Sequence, residues 1–151
     1  MSDAPVMLVC SPGGHLLEMR ELHPAWADQE VAWVTLPGAD VDRLLEGEDV
    51  VLAHGPTNRS ISKLFKNLAL AWREVRRRRP AVILSTGAAL AVPFFLVGRL
   101  HGIRTVYVES LTRTRSLSLS GRMVYPLASA FFVQWPEATS WRRARYVGSI
   151  L

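Results

Sequence analysis

A chain of 151 residues, 49% hydrophobic and 21% charged, has the size of one globular domain and is too short for a two-domain enzyme. Its 18 basic against 13 acidic side chains leave a net charge of +5 and a pI near 10.1, which points to an anionic partner surface. Composition excludes disordered and collagen-like classes, and the single cysteine, Cys10, allows no internal disulfide, which suits a reducing, cytoplasmic compartment.

The start, Met1-Ser-Asp-Ala-Pro, lacks the basic and apolar regions of a secretory signal, so neither leader nor anchor is expected. Val6 to Cys10 reads as a short strand, Ser11-Pro-Gly-Gly-His15 as a glycine loop, and Leu16 to about Leu22 as a helix ended by Pro24. Val31 to Thr35 is a second strand, Pro37-Gly38 a turn, Val41 to Leu45 a short helix, and Val50 to Ala53 a third strand. From Ser60 to Arg78 the apolar residues Ile61, Leu64, Phe65, Leu68, Trp72 and Val75 recur every three or four positions, which predicts an amphipathic helix burying that face. Lys63, Lys66, Arg73, Arg76 and Arg77 fall away from it. Ala81 to Leu84 is a fourth strand, Ser85-Thr86-Gly87 a turn, Leu90 to Leu100 a helix broken by Pro93, and Thr105 to Val108 a fifth strand. A helix over Gly121 to Ala128, a strand over Phe131 to Gln134 and a last strand over Arg145 to Gly148 follow. The uncharged run from Ala81 to Gly98 comes close to the ~18 residues of a spanning helix. Its strand, turn and helix parts exclude that. Alternating strands and helices predict a single α/β domain over residues 1–151, a doubly wound, mainly parallel, Rossmann-like sheet with its ligands at the carboxyl ends of the strands.

The basic residues cluster at Arg76 to Arg79, at Arg113, Arg115 and Arg122, and at Arg142, Arg143 and Arg145. No RNA-binding aromatic signature, zinc-finger spacing or basic zipper accompanies them, so a membrane-facing or simply solvated role is expected and nucleic acid is not. The run at Arg76 to Arg79 also suits the solvated end of a helix, where cations favour the dipole. His23, His54 and His101 lack metal-ligand spacing, so no metal is expected.

The strongest chemical signal is the loop Ser11-Pro12-Gly13-Gly14-His15 between strand and helix. Paired glycines let backbone N–H groups approach a phosphate, and the helix start behind them favours an anion. Neither a Walker loop nor Gly-x-Gly-x-x-Gly is present, which removes the main support for ATP or NAD. A second small-residue turn, Ser85-Thr86-Gly87-Ala88-Ala89, offers another helix start, and two such starts suit a diphosphate. Both turns also suit plain tight packing. His15 can accept a proton from a sugar hydroxyl near neutral pH, or it can serve as a packing residue at a helix start. Glu109, at the carboxyl end of the fifth strand, reaches the same rim.

Ser11-Pro-Gly-Gly-His15 with Glu18, Pro56-Thr-Asn-Arg59, Arg79-Pro80, Ser85-Thr-Gly87 with Val92-Pro93, Tyr107-Val-Glu-Ser110, Gly121-Arg122, Tyr125-Pro126, Phe132-Val-Gln-Trp-Pro136 and Tyr146-Val-Gly148 occur in that order. Together, over essentially the whole chain, they resemble the Alg14 family in its bacterial exopolysaccharide branch, PssD. A weaker similarity extends to the acceptor-binding half of MurG. The resemblance implies the N-terminal, acceptor-binding half of a GT-B glycosyltransferase acting without cofactor or metal. It also implies a partner, an Alg13- or PssE-like subunit, that binds most of the UDP-sugar. The transferred sugar would be N-acetylglucosamine, glucuronic acid or another hexose, and the acceptor a polyprenyl-diphosphate-linked saccharide at the inner face of the cell membrane. By motif position, His15 is the first choice of general base and Glu109 the second. Gly13, Gly14, Gly87 and Ala88 would hold the acceptor diphosphate, with Arg59 and Arg113 as counter-charges. Membrane contact would come from the Ser60 to Arg78 helix, with Lys63, Lys66, Arg73, Arg76 and Arg77 facing the membrane, or from the Leu90 to Leu100 segment. Two other classes stay open, a membrane scaffold that recruits a catalytic partner and a stand-alone nucleotide-binding enzyme.

Overall fold

Strand-length apolar runs separated by helix-length segments can bury both sheet faces only if the strands lie side by side and parallel. The computed structural model, which describes residues 3–57 and 59–150, shows that arrangement. Asn58, within the Pro56–Arg59 motif, lies outside the described residues. The strands are β1 (Val6–Cys10), β2 (Val31–Thr35), β3 (Val50–Leu52), β4 (Val82–Gly87), β5 (Arg104–Val108), β6 (Ala130–Val133) and β7 (Ala144–Tyr146). They form one sheet in the order β3-β2-β1-β4-β5-β6-β7, parallel at every pairing. The helices are α1 (Gly14–Glu21), α2 (Ala39–Leu44), α3 (Ile61–Arg78), α4 (Ala91–Leu100) and α5 (Leu119–Val124).

Residues alternate between two cores, as the two-residue period of a strand requires. Leu8, Cys10, Trp33 and Val108 pack with Leu16 and Met19 of α1 and Val41 of α2. Met7, Val9, Ile83, Tyr107 and Phe131 pack on the other face with Leu70 and Val75 of α3 and Phe94 and Phe95 of α4. Each fully buried Leu or Phe is worth roughly 1.5–3 kcal/mol over exposure, so both faces contribute to one fold.

Several local expectations are corrected. Ser85-Thr86-Gly87 is the end of β4, not a turn. Pro93 does not break α4, because it is the third residue of that helix, where the first-turn N–H groups have no intrahelical acceptor to lose. The first helix begins at Gly14 rather than Leu16, α5 ends at Val124 rather than Ala128, and β7 ends at Tyr146.

The largest correction concerns α3. Its buried residues are Asn67, Leu70, Ala71, Glu74 and Val75, whereas Ile61, Phe65 and Trp72 are 72%, 65% and 46% exposed. Of the face expected to be buried, Val75 alone is fully so. Paired polar groups explain the rotation. Asn67 exchanges two hydrogen bonds of 2.9 Å with the backbone of His54, and Glu74 accepts from Arg73, Arg77 and Arg78, so both are satisfied when buried. Burial opposes the Glu74 charge, but the hydrogen bonds from Arg77, Arg78 and Arg73 outweigh it and hold the carboxyl below its ordinary value. Arg78 also bonds Asp49, just before β3, and lowers that carboxyl too. The helix thereby packs through Leu70, Ala71 and Val75 with the paired Asn67 and Glu74 among them, and a second apolar stripe is left facing outward.

Candidate active site

The strand order reverses direction between β1 and β4, so the loops leaving these neighbours diverge and open a crevice at their carboxyl ends. A cavity of about 790 Å³ lies there. Gly14 and His15 from the start of α1, Arg59 from the loop before α3, Ala88 after β4 and Arg113 after β5 all line it. These candidates, far apart in the chain, are brought together. Gly13, Gly87 and Glu109 do not line it, and Lys63, Lys66, Arg73, Arg76 and Arg77 lie along α3 outside it.

His15 is held from two sides by one residue. Its Nδ1 lies 2.9 Å from the Thr86 carbonyl oxygen, and Thr86 Oγ1 donates to the His15 carbonyl at 2.7 Å. A carbonyl can only accept, so Nδ1 carries the hydrogen and Nε2 keeps the lone pair. The side chain is 31% exposed, which leaves the ring reachable from the cavity. Gly87 explains why the ring fits. It has φ +135°, and a Cβ built there would lie 2.6 Å from Cε1 and 2.7 Å from Nδ1 of His15. Its role in this geometry is to seat the imidazole. Ala88 follows with φ +70°, an uncommon value for a residue with a Cβ.

Glu109 is 1% exposed and fully engaged. It accepts from the N–H of Ser110 at 3.0 Å and of Ser118 at 2.9 Å, and from Ser118 Oγ at 3.0 Å. Its carboxylate occupies the space a side chain at Gly121 would need. This geometry anchors the loop between β5 and α5 and leaves His15 as the base candidate with a free lone pair at the cavity. At the glycine loop, the Gly13 N–H already donates to Asp40 Oδ2 at 2.7 Å, so the anion at that amide is the protein's own carboxylate. The Cys10 thiol is buried at the end of β1. Burial, with Asp40 adding to it, pushes the thiol up to about 12, so it is a packing group rather than a nucleophile. Burial first, and Glu109 second, also raise the Tyr107 phenol.

Glu18, quoted in the sequence motif without a role, lines the cavity, and its Oε1 accepts from Ser110 Oγ at 2.9 Å and the Leu111 N–H at 3.0 Å. Its spacing of three residues from His15 on a helix was a usable sign, since such residues share a face. Thr86 and Asp40 gave no comparable sign, because their partners are distant in sequence. The cavity also has an apolar lining, with Ile61, Leu64, Val92, Leu119 and Met123. Ile61, Leu119 and Met123 are also largely exposed, so this lining runs on into the outward stripe of α3.

A family described as "Oligosaccharide biosynthesis protein Alg14 like" matches residues 52–150. The UDP-N-acetylglucosamine transferase subunit ALG14 of Eremothecium gossypii is 34% identical, over 97% of this chain and 80% of that protein. The subunit of the same name from Rattus norvegicus is 28% identical, over 97% and 82%. Among solved structures, Acinetobacter baumannii MurG matches with TM-score 0.75 and 16% identity over 94% of this chain. S. aureus MnaA in complex with UDP matches with TM-score 0.76 and 14% identity over 97%. Both likenesses are of fold, and the chain spans 45% of either protein. The family match from β3 to beyond β7, with a 34% identical relative aligned almost end to end, shows that this chain belongs to the Alg14 family.

Proposed function

We propose that this chain, read as one domain over residues 1–151, is the acceptor-binding, membrane-associating subunit of a two-component glycosyltransferase. Its partner is a donor-binding subunit like Alg13 or PssE that holds most of the UDP-sugar. The acceptor is a polyprenyl-diphosphate-linked saccharide of a polysaccharide pathway, met at the inner face of the cell membrane. N-acetylglucosamine is the favoured sugar, since the relatives are named as transferase subunits for it. The observation that carries the reading is the cavity itself, which joins one oriented imidazole and two arginines to an apolar wall open to the surface. A lipid-borne diphosphate needs that combination.

In the proposed reaction His15 Nε2 takes the proton of an acceptor hydroxyl as its oxygen attacks the anomeric carbon. The bond to UDP breaks, UDP leaves with the electron pair, and the configuration inverts. Arg59 and Arg113, with the α1 start at Gly14 and the Ala88 turn, hold the acceptor diphosphate. Gly13 and Gly87 support it indirectly, the first tied to Asp40 and the second seating His15. The test is transfer from UDP-N-acetylglucosamine to a polyprenyl-diphosphate-linked saccharide. Purified alone, the chain gives negligible product, and adding the donor-binding subunit restores turnover. Robust turnover by the single chain would refute the two-component reading.

No helix among the described residues is long and apolar enough to cross a membrane. Attachment is proposed through the exposed stripe of Ile61, Phe65 and Trp72, with Leu119 and Met123 beside the cavity mouth. At about 100° per residue, Arg76 flanks this stripe at about 40° and Arg73 and Lys66 stand about 100° and 120° away, whereas Arg77 falls about 140° round and Lys63 about 180°, the latter beside Leu70 and Glu74 on the buried side of the helix and so turned away from the proposed membrane face. Each cation near an anionic surface adds roughly 1 kcal/mol. Replacing Arg76 and Arg77 with glutamine should weaken co-sedimentation with anionic liposomes at low salt and leave less for high salt to remove. Binding that is unchanged and ignores salt would leave the apolar stripe or the partner subunit as the anchor.

A further inference from the structure

We infer that Glu18 is a positioning residue for His15, acting on the imidazole rather than on the acceptor; this rests on His15 as the base. Glu18 is 9% exposed. Its Oε1 is held by Ser110 Oγ and the Leu111 N–H, which sets the carboxylate in one orientation. Oε2 is buried from water and has no hydrogen-bond partner. It faces Nδ1 of His15 at 4.0 Å.

An ionised oxygen left unpaired in the interior is costly unless a cation forms beside it. The imidazolium that appears when His15 takes the acceptor proton is such a cation. Because Oε2 is closed to solvent, it cannot bind the acceptor, and its field falls on the ring. The other charged residues at the cavity are Arg59 and Arg113, which oppose a positive imidazole. The remaining acids nearby are committed, Glu109 to Ser110 and Ser118 and Asp40 to Gly13. Glu18 is thus the acid lining the cavity, among the described residues, that is placed to offset the positive charge of the ring. Thr86 fixes the tautomer, and Glu18 stabilises the charged form, the division of labour expected around an oriented base.

The experiment is Glu18→Gln in the two-subunit enzyme, beside His15→Ala and the double variant. Glutamine is isosteric, keeps both bonds to its oxygen and loses none at the orphan position, so folding should persist, checked by thermal unfolding. The expected result is a fall in kcat of about 10-fold or more, with acceptor and donor KM within about twofold, recovered in part by Glu18→Asp. In the His15→Ala background the same change should cost nothing further, since the effect runs through the ring. Unchanged kcat, a rise in KM, an equal loss with and without His15, or loss of the fold would each overturn the proposal. Near-normal turnover by His15→Ala would instead overturn the base assignment on which it rests.

Discussion

Replacing His15 with alanine in the assembled two-subunit transferase is expected to lower turnover by about 10²-fold or more, the scale of a lost general base. The variant should fold, because the ring is partly exposed and makes one hydrogen bond, to the Thr86 carbonyl, while the bond from Thr86 Oγ1 goes to the His15 backbone carbonyl and survives the change. KM for the acceptor should move little, since the proposed diphosphate contacts come from Arg59, Arg113 and the helix starts. Single-turnover transfer with both substrates saturating is the measurement to make. Near-normal turnover would move the base to the partner subunit, or to Glu109 released from its hydrogen bonds, or would favour a recruiting scaffold.

The second large effect is expected at Gly87, although no atom of it lines the cavity. In Gly87→Ala the new Cβ would lie 2.6–2.7 Å from the imidazole of His15, so the ring must leave the Thr86 carbonyl. The residue must also keep φ +135°, a strain of order 1–3 kcal/mol for a residue with a side chain. Turnover should fall about 10-fold to 100-fold, by analogy with other misplaced catalytic groups, and the thermal midpoint should drop. Adding His15→Ala to this variant should recover part of the midpoint by removing the clash, and should lower turnover no further than His15→Ala does in the native background. Additive losses would mean that Gly87 acts independently of the imidazole.

Much of the strand-helix alternation could be read locally. β1 and β2 match their expected bounds, and α3 begins one residue inside its own. The burial of α3 could not be read that way. Hydrophobic periodicity chose Ile61, Phe65 and Trp72 for the core, and the fold chose Leu70, Ala71 and Val75 together with Asn67 and Glu74, whose partners on His54 and the arginines satisfy them in the interior. A periodicity argument has no access to those partners.

The candidate site divides in the same way. Glycines after a strand, a histidine at a helix start and small residues after β4 were enough to mark two loops at one sheet rim, since they report backbone conformation and element ends. The roles within the rim came from contacts across 71 residues between His15 and Thr86 and 92 between Glu18 and Ser110. Those contacts orient the imidazole, tie Glu109 to the loop between β5 and α5 and set Gly87 against the ring of His15. Composition and spacing carry the fold class and mark the loops of the candidate site because both follow from local backbone preference. The tautomer of His15, the orphan oxygen of Glu18 and the outward apolar stripe exist only once β1, β4 and β5 lie side by side, because each depends on atoms that the chain order keeps far apart.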